Sequence, residues 1–168
     1  DALIDTMELL DGRGFRKSTA KSVVGVFGSR APEIVRRNPY VLRMFPGVGF
    51  KLCDKLYLDL GGRRDKLKRQ AACVAHAIES DTSGNTWHYH AVADASLHDN
   101  VGDGVANVGK AVRLANRAKL ISCQWTNGID GSPSWDGDSL WLAEQRKARN
   151  ERKLAAMIAA GMLADPWP

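Results

Sequence analysis

Cysteine is scarce in this sequence: Cys53, Cys73 and Cys123 are the three in 168 residues, widely separated and in no CxxC arrangement. That spacing argues against a disulfide framework and a zinc ribbon, and leaves reduced, mostly buried thiols as the expectation. Long hydrophobic runs are missing as well. No stretch approaches the roughly 18 consecutive apolar residues that cross a bilayer, so no membrane partner is expected. The opening DALIDTMELL has neither an initiator Met nor the basic-then-apolar order of a signal peptide, which reads as a cytoplasmic chain excised from a longer one. The four histidines include a His88-x-His90 pair, but no Cys or carboxylate cluster stands beside it at ligand spacing. A turn with a strand is the better account of that pair. Acidic residues are thin in one region: residues 11 to 70 hold 15 Lys+Arg against 5 Asp+Glu, and the remainder holds 9 against 14.

What is present suits a folded protein. A hydrophobic content of 44% in 168 residues allows one ordinary domain or two small ones. The net charge of +5 matters less than its concentration in one third of the chain. A basic segment apolar enough to fold implies a polyanion-binding surface, with nucleic acid ahead of an anionic membrane surface.

Apolar spacing predicts a short helix over residues 2 to 10, ended by the Gly12 and Gly14 of DGRGF. A second helix in KSTAKSVVGVFG stops at Gly28, and APEIVRRNP reads as a connecting helix broken by Asn38-Pro39. YVLRMF is then a brief helix closed by Pro46, and Phe50, Cys53, Leu56, Tyr57 and Leu60 mark one face of the next, stopped at Gly61-Gly62. The same unit, helix, glycine-bearing turn, helix, thus occurs twice. Beyond it the pattern predicts a long helix over about 65 to 80, a turn at SGNTWHYH, helices over 91 to 99 and 103 to 118, and a hairpin from LISCQW to SLWL. AEQRKARNERKLAAMIAAGML closes the chain as a helix. Three helices followed by a hairpin is the order of a winged-helix domain, which places a boundary near Gly61 to Arg64.

PGVGF, at residues 46 to 50, carries the chemistry. A helix N-terminus leaves about four N–H groups unpaired and carries roughly half a positive charge, so anions bind there. Gly47 and Gly49, flanking Val48, let the backbone approach a phosphate, while Lys51 and Lys55 add counter-charge in the first turns. The parts recur as Gly12, Arg13, Gly14, Arg16 and Lys17. Two such turns held together would grip phosphates on DNA without reading bases, and such binding weakens with salt.

These residues resemble the helix-hairpin-helix family. NPYVLRMFPGVGFKLCDKLYLDLG is similar, almost residue for residue, to the second helix-hairpin-helix pair in the N-terminal region of long-form RecD-type DNA helicases. The likeness runs over roughly residues 12 to 160, taking in SGNTWHY, where Asn85 replaces a common histidine, and SLWLAEQRKARNERKLAAMI. It implies a DNA-binding, strand-guiding appendage. ATP hydrolysis and 5′-to-3′ unwinding would belong to motor domains outside this chain, the possible partners of this region.

Other motifs mislead. GVANVGKA at 104 to 111 fits GxxxxGK but has Ala111 in place of the Mg²⁺-binding Ser or Thr, and no buried strand precedes it. The better account is a helix with Val105, Val108 and Val112 inward and Lys110, Arg113 and Arg117 outward, at the recognition-helix position of a winged helix: either DNA contacts or a solvated face. Helix-hairpin-helix glycosylases resemble this chain in carrying a lysine where Lys51 stands, able to form a Schiff base. They also need a carboxylate about 18 residues on, where this sequence has Arg69, with Asp65 the nearest acid. Of Trp87, Tyr89, Trp125, Trp135 and Trp141, most suit strand packing, and Trp135 at a loop tip suits stacking on a base.

The expected fold is therefore mainly α: a tandem helix-hairpin-helix (HhH)2 domain over residues 1–62, then a winged-helix-like unit with one β-hairpin and a C-terminal helix over 63–168. The expected function is sequence-independent DNA binding as the accessory region of a RecD-type helicase. No catalytic residue, metal or cofactor is expected within the chain, ATP and Mg²⁺ being matters for an absent motor. Two alternatives stand beside it: a rigid docking platform for a partner protein or the motor, and a lyase using Lys51.

Overall fold

A computed structural model describes residues 1–102, 106–125 and 140–162. Contacts divide the chain into two units, residues 1–66 and residues 67 onward, slightly later than a boundary at Gly62.

In the first unit, α1 (Ala2–Leu10) begins where the Asp1 carboxylate accepts the Leu3 N–H at 3.0 Å, and Asp5 in its first turn suits the positive end of the helix. It ends at Asp11, beyond which Gly12 and Gly14 take φ of 69° and 86°, the left-handed region that turns the chain toward α2 (Lys17–Phe27). A short 3-10 turn leads to α3 (Ala31–Arg37), and Asn38-Pro39 breaks that helix. Residues 39 to 44 then form a 3-10 helix, not an α-helical turn. Pro39 and Pro46 bracket too few residues for an α-helical ladder, and the bonds there are i to i+3, as in Phe45 N–H to the Leu42 carbonyl at 3.0 Å.

α4 (Phe50–Asp59) closes on a Schellman motif. The Gly61 N–H reaches the Leu58 carbonyl and the Gly62 N–H the Tyr57 carbonyl, each at 2.9 Å, with Gly61 at φ 82°. Leu9, Leu10, Ala20, Val23, Val35, Leu42, Phe45, Val48, Cys53 and Leu56 form one core, the inward stripes of these helices. Burial pushes the Cys53 thiol up to about 11.

The second unit packs α5 (Leu67–Ser80) against α6 (Ala91–Val101) and α7 (Val108–Arg117). α5 is the central helix, with Cys73, Val74, Ala75 and Ile78 buried. The sheet is antiparallel in the order β1-β3-β2, formed by Trp87–Tyr89, Leu140–Glu144 and Ile121–Trp125. The TWHYH turn thus contains a third strand, pairing Trp87 with Ala143 and Tyr89 with Trp141, a partnership that a three-residue run does not announce. Ala143 and Glu144 belong to β3, so the closing helix α8 (Gln145–Met162) starts two residues later than its apolar spacing implies. α7 begins at Val108 and not near residue 103, because the Asn107 side chain accepts the Lys110 N–H at 3.0 Å and caps the helix there. Val105, Trp135 and the loop over 126–139 lie outside the described residues.

Candidate nucleic-acid interface

The two glycine turns of the first unit are built side by side, and each leans on the helix that follows the other. A Cβ at Gly14 would stand 3.1 Å from the Leu52 side chain in the first turn of α4. A Cβ at Gly47 would stand 3.3 Å from Cζ of Arg16, the residue that opens α2. The contacts are reciprocal, so the N-termini of α2 and α4 sit together at one place on the unit.

Electrostatics at these two helix starts run against the usual rule. Within the first unit, α1 and α3 each carry an acid in the first turn, Asp5 and Glu33, as the helix dipole favours. α2 and α4 carry none, and neither has a side-chain cap. Cations stand there instead: Arg16 and Lys17 on α2, Lys51 on α4, all exposed, with Lys55 exposed one turn later. Positive side chains beside a positive helix end repel it unless an anion comes between them.

The structure sorts the residues that the sequence nominates. Gly49 is the N-cap of α4 with φ −93°, and no atom lies within 4 Å of where its Cβ would stand, so open space faces the backbone here. Val48 is buried, and its N–H donates to the Phe45 carbonyl at 3.2 Å, so this residue holds the turn's shape. Arg13 is turned inward: it donates to the Leu9 carbonyl at 2.8 Å at the end of α1, and its Nε lies 3.3 Å from Asp59 of α4. Its charge thus serves the join between the hairpins. Gly12 turns the chain with no neighbour in its way.

Behind the second turn, Tyr40 anchors it to α4. The ring stacks on Phe50 with centroids 6.0 Å apart, and its hydroxyl donates to the buried Asp54 at 2.6 Å. Sequence reading overlooked this pair, since a carboxylate four residues into a helix has no local signal for a partner 14 residues upstream.

The two positions that a lyase reading of Lys51 turns on, Arg69 and Asp65, are both engaged elsewhere. Arg69 belongs to the second unit, buried, and donates to the Asn100 carbonyl at 2.8 Å. Asp65 forms a bidentate pair with Arg63, at 2.5 and 3.0 Å, which holds its carboxyl below the usual range.

In the second unit, Lys110, Arg113 and Arg117 lie on the exposed face of α7, opposite the buried Ala111, Val112 and Ala115. The histidines of the His88-x-His90 pair each meet an aspartate: His88 Nδ1 lies 2.7 Å from Asp81, and His90 Nδ1 lies 2.8 Å from Asp94. No set of three potential metal ligands comes together among the described residues, and no helix among them is long and apolar enough to cross a membrane. A second basic run escaped the sequence reading. α8 opens with Arg146, Lys147, Arg149, Arg152 and Lys153 against Glu151 alone. Averaging charge over the whole second half hid it.

Residues 1–87 match the family model for the HHH domain of the ATP-dependent RecD2 DNA helicase. The chain belongs to that family. No curated protein matches it. The RecD2 HHH match takes in both hairpins, α5 and the first residue of β1, so it includes α1, which the sequence resemblance left outside. Membership points to a DNA-binding accessory role and to the helix-hairpin-helix reading of the first unit.

Proposed function

We propose that this RecD2 HHH chain is a non-catalytic module that holds the DNA backbone without reading sequence, as an accessory region beside a 5′-to-3′ ATP-dependent motor. One observation carries the reading: two uncapped helix starts, each opened by cations and each locked against the other's turn through Gly47 with Arg16 and Gly14 with Leu52. Arg16, Lys17 and Lys51 supply counter-charge, and Gly49 offers open backbone to a phosphate oxygen. A winged-helix-like second unit is supported by its element order, helix, strand, two helices, two strands, and by the sheet order β1-β3-β2. In that arrangement Lys110, Arg113 and Arg117 of α7 are its DNA-facing cations.

Fluorescence anisotropy with single-stranded, duplex and forked DNA over a salt series tests the reading. Each lost phosphate contact should lower the salt slope by about 0.9 on duplex. Lys51→Glu should weaken all three DNAs, and absence of binding by the parent chain at low salt would refute the proposal.

A second reading, docking to a protein such as the motor, draws on α8. Leu154, Met157 and Ile158 form an exposed apolar stripe at helical spacing on its distal half. A pull-down with the motor that survives nuclease treatment and fails with Met157→Glu would favour it.

A further inference from the structure

α1 leaves large apolar side chains in solvent beside the first glycine turn. Ile4 is 54% exposed and Met7 43% exposed, one helical step apart. They do not face open water on a convex surface. Together with Phe15 from the turn they line a groove of about 410 Å³, within the roughly 300–1,000 Å³ of small-ligand sites. Arg16 and Lys17, the cations that open α2, stand on the same groove.

We propose that this groove receives one unstacked base of single-stranded DNA, whose phosphate is held by Arg16 and Lys17. The inference rests on the DNA-binding reading and deepens it by naming the strand state. Three features select a nucleotide over a protein segment. The walls are apolar and include an aromatic ring, as an extruded base requires. The phosphate-holding cations adjoin those walls, so base and backbone are met together. Glu8 and Asp11 also line the groove, and carboxylates accept from the exocyclic amino groups of cytosine, adenine or guanine. An acidic peptide would suit Arg16 and Lys17 and then meet Glu8 and Asp11; a nucleotide carries an anion at one end and amino donors at the other. Bases inside a duplex are stacked and cannot enter, so the groove adds affinity for single strands alone.

The test compares a labelled oligo(dC) of about 12 nucleotides with a duplex of similar length by anisotropy, using the full chain. Ile4→Ala with Met7→Ala removes exposed side chains, so the fold should persist, as checked by circular dichroism. The expected result is a loss of about five-fold or more on oligo(dC) with duplex affinity changed less than two-fold. Met7→Trp should act oppositely, tightening oligo(dC) by supplying a second ring and leaving duplex unchanged. Equal effects on both DNAs, or no effect on either, would overturn the groove while leaving backbone binding intact. A parent chain that binds neither DNA would overturn both readings at once. Loss of a protein partner by the alanine pair with DNA binding unchanged would reassign the groove to docking and likewise overturn the proposal.

Discussion

Gly47→Ala and Gly49→Ala look equivalent in the sequence and should behave oppositely. Gly47 has φ 80°, where an L side chain costs about 1–2 kcal/mol. A methyl there would also stand 3.3 Å from Arg16 Cζ, but that is the end of a flexible side chain and can swing aside cheaply. The expected destabilisation of the first unit is therefore about 1–2 kcal/mol, or roughly 4–8 °C per kcal/mol for a domain of this size. Gly49 has φ −93°, where alanine fits, and nothing lies within 4 Å of its added Cβ. The small N-cap penalty for alanine is offset by about 0.4–1 kcal/mol of lost unfolded-state freedom, leaving stability nearly unchanged. DNA affinity should fall all the same, because the methyl stands where backbone and phosphate would meet. All five tryptophans lie beyond residue 66, so fluorescence does not report on the hairpins. Amide hydrogen exchange of α2 and α4 does, read alongside anisotropy. If Gly49→Ala loses as much stability as Gly47→Ala, or keeps full DNA affinity, the division of labour between the two glycines is wrong.

Other perturbations follow from local geometry. Lys119 occupies the left-handed position, φ 57°, of a Schellman end to α7, with Leu120 N–H reaching the Ala115 carbonyl at 3.0 Å; Lys119→Gly should stabilise the second unit by about 1 kcal/mol in a denaturant titration followed by tryptophan fluorescence. Tyr40→Phe removes the hydroxyl that Asp54 accepts and should cost about 1–2 kcal/mol by hydrogen exchange in α4, with a looser second turn and weaker DNA binding. Burial raises both Cys53 and Cys123 to about 11 from 9.0, so the unfolded chain ionises first and stability should decline between about pH 9 and 11. Cys53→Ala should flatten the part of that decline measured in the first unit.

How far the fold could be read from the sequence depended on the range of the signal. Gly28, Asn38-Pro39 and Gly61-Gly62 stop helices by their own backbone chemistry, and these ends were legible. β1 was half legible, as a strand beside a turn, but its place against β3 depends on residues more than 50 positions later, and three residues carry no usable alternation. The start of α7 was missed because apolar spacing runs on through GVANVGKA, while the cap that sets the boundary is a single Asn107 side chain.

The site divides in the same way. That each glycine turn leads into a helix start with cations beside it was legible, because turn, cap and first-turn residues are neighbours in sequence. Which cation serves which turn was not. Arg13 and Arg16 both read as counter-charges for the first turn, yet Arg13 is drawn to the end of α1 and to Asp59, and Arg16 crosses to cover Gly47 of the second turn. Only the packing of one hairpin on the other separates them. The consequence is that Arg16 should couple energetically to Lys51 across the hairpins, whereas Arg13 should not. A double-mutant cycle on DNA affinity, Arg16→Ala with Lys51→Ala against Arg13→Ala with Lys51→Ala, measures that difference directly. Additivity in the first cycle and coupling in the second would mean that each turn binds its phosphate with its own cations, and the paired-turn surface would lose its main support.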